Sequence, residues 1–137
     1  MARREKLSRT FEKFEAGLIK LKEATTSDFE SKFDKDILVE IVTKRFEYTF
    51  ESMWKCLKEI LLAEGIQTES PLSCFKEAFK LGLIDKKQEE VFPFMVKKRN
   101  EIVHIYSDED AYEIYLLIKS TFLEVISNLF EKIRVKI

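Results

Sequence analysis

The fold is decided by residues 36–63, which read DILVEIVTKRFEYTFESMWKCLKEILLA. Apolar residues recur there at spacings of three and four, which is the period of one face of an α-helix. This face comprises Val42, Phe46, Phe50, Met53, Leu57 and Ile60. The face is widened beyond a single seam by Ile41, Tyr48, Trp54 and Leu61. A helix so broadly apolar is expected to be buried on more than one side, either by neighbours in the chain or by a second copy.

Helical patterns continue on both sides of this segment. An N-terminal helix is predicted over about residues 4–24, where the same apolar spacing runs until the polar cluster Thr25–Asp28. Beyond the long helix, Ser70 and Pro71 favour an N-cap followed by the first residue of a short helix. This short helix is predicted to end at Gly82, because glycine is typical of a helix C-terminus.

Two further helical segments are predicted in the C-terminal part of the chain. The first begins at Asp85, which forms a capping-box pattern with Gln88, and runs toward Tyr106 with a kink or restart around Pro93. The last begins at Ser107, because a hydroxyl followed by three carboxylates favours a helix N-terminus. The side chains expected to face inward from this last helix are Tyr112, Tyr115, Leu116, Phe122, Ile126, Leu129 and Ile133.

We therefore predict one all-α domain over residues 1–137, an up-and-down four-helix bundle with one additional short helix. The chain has only three Gly, two Pro and one His, so a glycine-rich phosphate-binding loop has no place to form. The 24 basic and 25 acidic residues balance, and any nucleic-acid binding must be local. Because neither a run of ~20 apolar residues nor a signal-peptide pattern is present, we expect a cytoplasmic protein with no membrane contact.

The two cysteines, Cys56 and Cys74, are not spaced as a C-x-x-C pair. Together with a single His they cannot form a closed zinc site. We expect reduced, structural thiols, no metal ion and no cofactor.

The stretch that carries chemistry is residues 97–106, KKRNEIVHIY, which contains the only His. Asn100 and His104 lie four residues apart on one helical face, whereas Arg99 and Tyr106 lie seven apart on an adjoining face. Arg99 and His104 are roughly 140° apart around an ideal helix. They could converge on one phosphate from a shared edge, through an irregular helix end, or across a two-fold axis.

These residue types fit metal-free RNA cleavage by the 2′-hydroxyl. Arg99 could clamp a phosphate, His104 could move protons near neutral pH, and Asn100 could orient the imidazole or the ribose. The reaction uses an acid and a base, and one His per chain supplies only one of them. The alternative is structural, with Arg99 and Asn100 in salt bridges and caps and His104 capping the last turn.

Other candidate residues have a functional and a structural interpretation. Lys97 and Lys98 could bind RNA or nucleotide phosphates, or they could form a solvated helix face. Trp54, Phe46 and Phe50 could stack bases, but their helical spacing among aliphatic residues favours packing in the core or in a dimer.

The pattern of Arg99, Asn100, His104 and Tyr106 resembles the R-x(4)-H-x-Y motif of the HEPN superfamily, the higher eukaryotes and prokaryotes nucleotide-binding domain. Residues 45–58 and 70–84 resemble one branch of it, the nucleotidyltransferase substrate-binding-protein-like family. The resemblance spans about residues 40–110, and the three blocks in order are more specific than the motif alone.

This resemblance implies a helical homodimer in which Arg99 and His104 of both protomers line a cleft, with a minimal nucleotidyltransferase as partner. In members characterised as toxins the HEPN subunit is a metal-independent endoribonuclease. Its nucleotidyltransferase antitoxin transfers AMP to the motif tyrosine, here Tyr106, where added bulk and negative charge would exclude RNA phosphate. The alternative implied function is a non-catalytic subunit that binds the nucleotidyltransferase's substrate.

Overall fold

The computed structural model describes residues 2–104 and 107–137. Over these ranges the chain forms seven α-helices and no strand, which confirms the all-α class. The helices are α1 (Ala2–Ala24), α2 (Ser27–Glu30), α3 (Lys35–Ala63), α4 (Pro71–Lys80), α5 (Val91–Glu101), α6 (Asp108–Leu117) and α7 (Leu123–Lys136). A π-helical turn, Ile118–Phe122, joins α6 to α7, and 3₁₀ turns occupy Lys86–Gln88 and Ile102–His104. None of the described helices is both long enough and apolar enough to span a membrane.

The bundle has four main helical elements, which are α1, α3, α5 and the continuous α6–α7 pair, and α4 is the additional short helix. The long helix α3 runs through its centre, and the six residues of its predicted apolar face are all buried. Phe46 stacks on Phe122 of the π turn at 5.7 Å between ring centroids, and Phe50 meets Phe75 of α4 edge to face at 6.0 Å. These contacts place α3 against the α6–α7 pair and the short helix α4, and the arrangement confirms the predicted bundle.

Tyr48 does not belong to the buried face, which corrects the sequence prediction. Its side chain is 51% exposed. The reason is its position at the edge of the α1–α3 contact, where its ring lies beside Gly17 rather than between two helices. The apolar width of α3 therefore overstates how much of the helix is buried within one chain.

Helix ends follow the predicted signals with one exception. The amide of Ser73 donates to Ser70 Oγ at 3.2 Å and the amide of Ser70 donates to Ser73 Oγ at 3.1 Å, which forms a capping box. The amide of Asp110 donates to Ser107 Oγ at 3.1 Å, as predicted. The capping box predicted at Asp85 is wrong: this side chain caps no amide. It accepts instead from Lys132 of α7, because tertiary packing brings a cation within reach.

After the 3₁₀ turn that follows Asp85, an α-helix begins at Val91, as the position of Pro93 predicted. Pro93 lies in the first turn of α5, where a missing amide costs no helical hydrogen bond. In α6 the inward expectation fails for Leu116, whose side chain is 45% exposed. The adjacent Tyr115 takes the inward position, and the next residue then points about 100° away around the helix.

Candidate functional site

Arg99 lies in the last turn of α5 and directs its guanidinium toward α3. Its Nη2 donates to Glu51 Oε2 at 2.7 Å, and its Nη1 donates to Asn100 Oδ1 at 3.3 Å. The guanidinium carbon lies 5.2 Å from the centre of the Phe50 ring, a cation–π distance. The second oxygen of Glu51 is 3.5 Å from Lys55 Nζ. Three contacts therefore fix the guanidinium and neutralise part of its charge.

His104 ends the 3₁₀ turn that follows α5, and its side chain is exposed. The change from α to 3₁₀ geometry tightens the helix over residues 102–104, so Asn100 and His104 depart from ideal four-residue spacing. Both nevertheless line the same groove. Tyr106, the fourth residue of the motif, lies outside the described residues.

Arg99 and Asn100, which are hydrogen-bonded to each other, line two different grooves. The His104 groove has a volume of about 730 Å³. Its lining residues are Leu72, Pro93, Val96, Lys97, Lys98, Asn100, Glu101, His104, Asp110, Glu113 and Ile114. The Arg99 groove, between α1 and α3, has a volume of about 550 Å³. Its lining residues are Ala16, Gly17, Lys20, Lys44, Arg45, Glu47, Tyr48, Glu51 and Arg99. Within the single chain, Arg99 and His104 thus open onto different grooves.

The two grooves differ in charge. Besides His104, the His104 groove has two lysines and three carboxylates, whereas the Arg99 groove has four cations and two carboxylates. A concave surface with an excess of one charge concentrates ions of the opposite sign. The Arg99 groove is consequently the more favourable of the two for phosphate.

The two lysines of the motif region have different environments. Lys97 is exposed in the His104 groove. Lys98 is partly buried, pairs with Glu101 at 3.2 Å, and lies 5.5 Å from the centre of the Phe94 ring. A phosphate could reach Lys97 directly, but at Lys98 it would have to displace Glu101.

The aromatic residues considered as base-stacking groups belong to the core. Phe46 and Phe50 are fully buried, and Trp54 is half-buried against the core. The packing interpretation of these three residues is therefore confirmed. Any base-stacking platform has to come from a different, exposed ring.

Both cysteines are buried and unpaired, as the structural interpretation predicted. Burial raises the pKa of the Cys56 thiol to about 11, and burial also raises the pKa of Cys74. A thiol with a raised pKa is a poor nucleophile at neutral pH. Across residues 2–104 and 107–137, no group of three or more His, Cys, Asp or Glu residues is arranged to hold a metal ion.

Comparison with known proteins adds the family. A family model described as "Nucleotidyltransferase substrate binding protein like" matches residues 9–135. The chain belongs to this family. A crystal structure of a protein from Thermus thermophilus is similar to the chain, with a TM-score of 0.73 and 27% sequence identity, covering 90% of this chain and 97% of that one. No curated protein matches the chain significantly.

In this member of the nucleotidyltransferase substrate-binding-protein-like family, the sequence singles out Arg99 and its contact Asn100 but gives no indication of Glu51. Glu51 is 48 residues away in sequence, and an exposed carboxylate on a long helix carries no signal of its partner. Tyr48 was assigned to the apolar face of α3, and its contact with Gly17 was not predicted. The available signal was Gly17 in the middle of an otherwise regular helix. Glycine lowers helix stability there, so its presence indicates that another group packs closely against the helix.

Proposed function

We propose that the chain is the helical subunit of a pair with a minimal nucleotidyltransferase and that it acts as a metal-independent endoribonuclease. The family description supports the pairing, since it names a nucleotidyltransferase. The observation that carries the nuclease proposal is the arrangement at the end of α5. There a fixed Arg99 faces a positively charged groove and contacts Asn100, which shares a second groove with His104.

The proposed reaction uses RNA's own 2′-hydroxyl as nucleophile. Its oxygen attacks the adjacent phosphorus, the bond to the 5′-oxygen breaks, and the products carry a 2′,3′-cyclic phosphate and a free 5′-hydroxyl. Arg99 stabilises the charge that builds on the phosphate oxygens. His104 takes or returns a proton, and Asn100 orients the imidazole or the ribose.

A homodimer completes this site. One chain contributes one imidazole, and its Arg99 and His104 face different grooves. A two-fold axis near the end of α5 would bring the His104 of one protomer toward the Arg99 of its partner and supply both an acid and a base. The proposal therefore requires a symmetric cleft rather than a site within one protomer.

The nuclease proposal is tested by incubating the purified chain with single-stranded RNA in EDTA. We expect cleavage with cyclic-phosphate ends, and loss of roughly 100-fold or more of the rate in His104→Ala, the usual range for a general acid or base. Lys87→Ala, which removes an exposed charge on a remote turn, is the control. Equal cleavage by His104→Ala and the parent would exclude His104 chemistry.

Neutralisation is proposed to occur at Tyr106. The nucleotidyltransferase would transfer AMP from ATP to the phenol oxygen, which loses its proton as the bond between the α- and β-phosphates breaks and pyrophosphate leaves. The attached AMP adds negative charge two residues beyond His104. Co-expression with the nucleotidyltransferase should increase the mass of this chain in AMP steps and abolish RNA cleavage. A Tyr106→Phe chain that still gained AMP would show that another residue is the acceptor.

A second candidate function is a non-catalytic subunit that binds the nucleotidyltransferase's substrate. The contact between Arg99 and Glu51 favours it, because a carboxylate 2.7 Å from the guanidinium weakens the charge available for a transition state. If this function holds, the wild-type chain leaves RNA intact in EDTA and binds nucleotide without changing it.

A further inference from the structure

The Arg99 groove contains an aromatic ring that the proposed reaction does not use. The ring of Tyr48 is half exposed, and its edge rests on α1 at Gly17. A Cβ at position 17 would lie 2.8 Å from Tyr48 Cδ1 and 3.1 Å from Thr49 Oγ1, closer than van der Waals contact allows. Glycine inside a helix costs about 1 kcal/mol relative to alanine. The close approach of the ring gives a physical reason for glycine at this position.

Two cations flank this ring, Lys44 on α3 and Arg99, which reaches α3 from α5 through its contact with Glu51. Lys44 is four residues before Tyr48, and Glu51, which holds Arg99, is three residues after it. At 1.5 Å per residue these positions are about 6 Å and 4.5 Å from Tyr48 along the helix axis. The groove thus has Lys44 about one helical turn before Tyr48, and the Glu51–Arg99 pair about one turn after it.

The lysines of the groove are available for an anion. Lys20 and Lys44 are exposed and form no ion pair within residues 2–104 and 107–137. Arg45 is engaged instead, because its Nη1 donates to the Lys20 carbonyl at 2.8 Å and pairs with Glu23 at 3.2 Å. Lys20 and Lys44 are therefore the cations of this groove that a phosphate can bind without displacing a carboxylate.

We propose that the Arg99 groove binds one nucleotide of single-stranded RNA, with its base stacked on Tyr48. The phosphate on one side of this nucleotide lies at Lys44 and Lys20, and the phosphate on the other side lies at Arg99. Aromatic platforms within positively charged grooves are how proteins hold single strands without reading sequence. A volume of about 550 Å³ is within the range of small-ligand sites. This site rests on the proposed function, because it would deliver a phosphate of the bound strand to Arg99.

Fluorescence anisotropy with a labelled ten-nucleotide oligoadenylate tests the site in a His104→Ala background, where the RNA stays intact. Tyr48→Ala and Tyr48→Leu should weaken binding roughly 5- to 100-fold, the effect of losing one base–aromatic stack, whereas Tyr48→Phe should bind as the parent does. Lys44→Ala should reduce the salt dependence of binding. Gly17→Ala should weaken binding by displacing the ring without removing a charge.

The matched control is Tyr112→Ala. Tyr112 lines a groove of about 510 Å³ with one lysine and four carboxylates, so its removal should leave RNA binding unchanged. Equal RNA affinity of Tyr48→Leu and the parent would overturn the proposal. So would a change of oligomeric mass in Tyr48→Leu by light scattering, since a second copy would then occupy the groove. Binding measured without cleavage separates this site from the nuclease proposal, which fails on its own if wild-type chain leaves RNA intact.

Discussion

The guanidinium of Arg99 is bounded by an acidic and an aromatic neighbour, Glu51 and Phe50. The carboxylate orients the arginine but also competes with any phosphate that enters the groove. Both side chains of the pair are about one-third exposed, so water screens the attraction. Exposed pairs of this kind contribute little net free energy, and a ligand can displace the carboxylate at low cost.

Glu51→Gln tests this competition. Glutamine keeps an acceptor oxygen for Arg99 but removes the negative charge. RNA binding by the His104→Ala chain should then tighten about two- to fivefold at low salt, with a smaller gain as salt screens the groove. Fluorescence anisotropy across a salt series measures the effect. Glu101→Gln, which removes a carboxylate from the other groove, is the control, and weaker binding by Glu51→Gln would show that the charge is needed to position Arg99.

At the scale of elements, α2 has only four residues and cannot be stable alone. It is held by its neighbours through Glu30, whose Oε2 accepts from the Tyr115 hydroxyl at 2.8 Å and from Lys119 Nζ at 2.6 Å. The hydrogen bond from Lys119, followed by that from Tyr115, holds the pKa of Glu30 below its ordinary value. The short helix is thus attached to α6 and the π turn by a charged hydrogen-bonded cluster.

Glu30→Gln should lower the free energy of unfolding by about 1 kcal/mol at pH 7, because the hydrogen bonds from Tyr115 and Lys119 lose the charge of their partly exposed acceptor. A lowered native pKa contributes stability above the unfolded pKa of about 4.3. That contribution is lost as pH falls through the native pKa. The difference in the free energy of unfolding between wild type and Glu30→Gln should accordingly be constant near neutral pH and become smaller in acid.

Urea denaturation at pH 7 and in steps below pH 4.5 measures this gap. Asp28→Asn is the matched control, since Asp28 lies on the same helix and its pair with Lys32 is mostly exposed, so it should have little effect at any pH. A gap between wild type and Glu30→Gln that stays constant down to pH 3 would contradict the role assigned to the charge.

Element prediction succeeded where one periodic pattern ran for several turns and failed where packing set the geometry. The buried face of α3 follows from spacing, because a helix places residues three and four apart on one side. The π turn at Ile118–Phe122 has no sequence signal of comparable strength, because a single widened turn requires no particular residue type. The cap at Asp85 failed because Lys132 is 47 residues away and competes for the carboxylate.

At the scale of the whole molecule, an exposed apolar side chain lies beside the proposed catalytic histidine. Val103 is 72% exposed and directly precedes His104. A symmetric cleft around His104 would cover this side chain and remove its apolar surface from water. Val103 is therefore the residue at which we place the two-fold contact.

Val103→Glu should convert the proposed dimer to a monomer of 16.3 kDa at low micromolar concentration and reduce the proposed RNA cleavage at least tenfold, because an unpaired charge would be buried in the contact. Light scattering and the cleavage assay measure the two effects on one sample. Val135→Glu is the control, because Val135 is 84% exposed near the end of α7. A wild-type chain that is monomeric at low micromolar concentration would exclude the proposed shared cleft.

The sequence by itself determined the all-α class, the positions of the long helices and the buried face of α3. These follow from local spacing and capping, which act over a few residues. It also restricted Arg99, Asn100 and His104 to one helix end, since they span six residues, but left open whether Arg99 and His104 converge.

Only the tertiary structure decided which groups surround those residues. Glu51 reaches Arg99 from α3, Gly17 of α1 seats the ring of Tyr48, and Glu30 holds Tyr115 and Lys119 across more than 80 residues. Such contacts depend on how the helices pack against one another, whereas the helical period determines only which face of each helix is buried. The separation of Arg99 and His104 into two grooves of different charge is likewise a property of packing, because residue spacing gives an angle around one helix but not what lies opposite it.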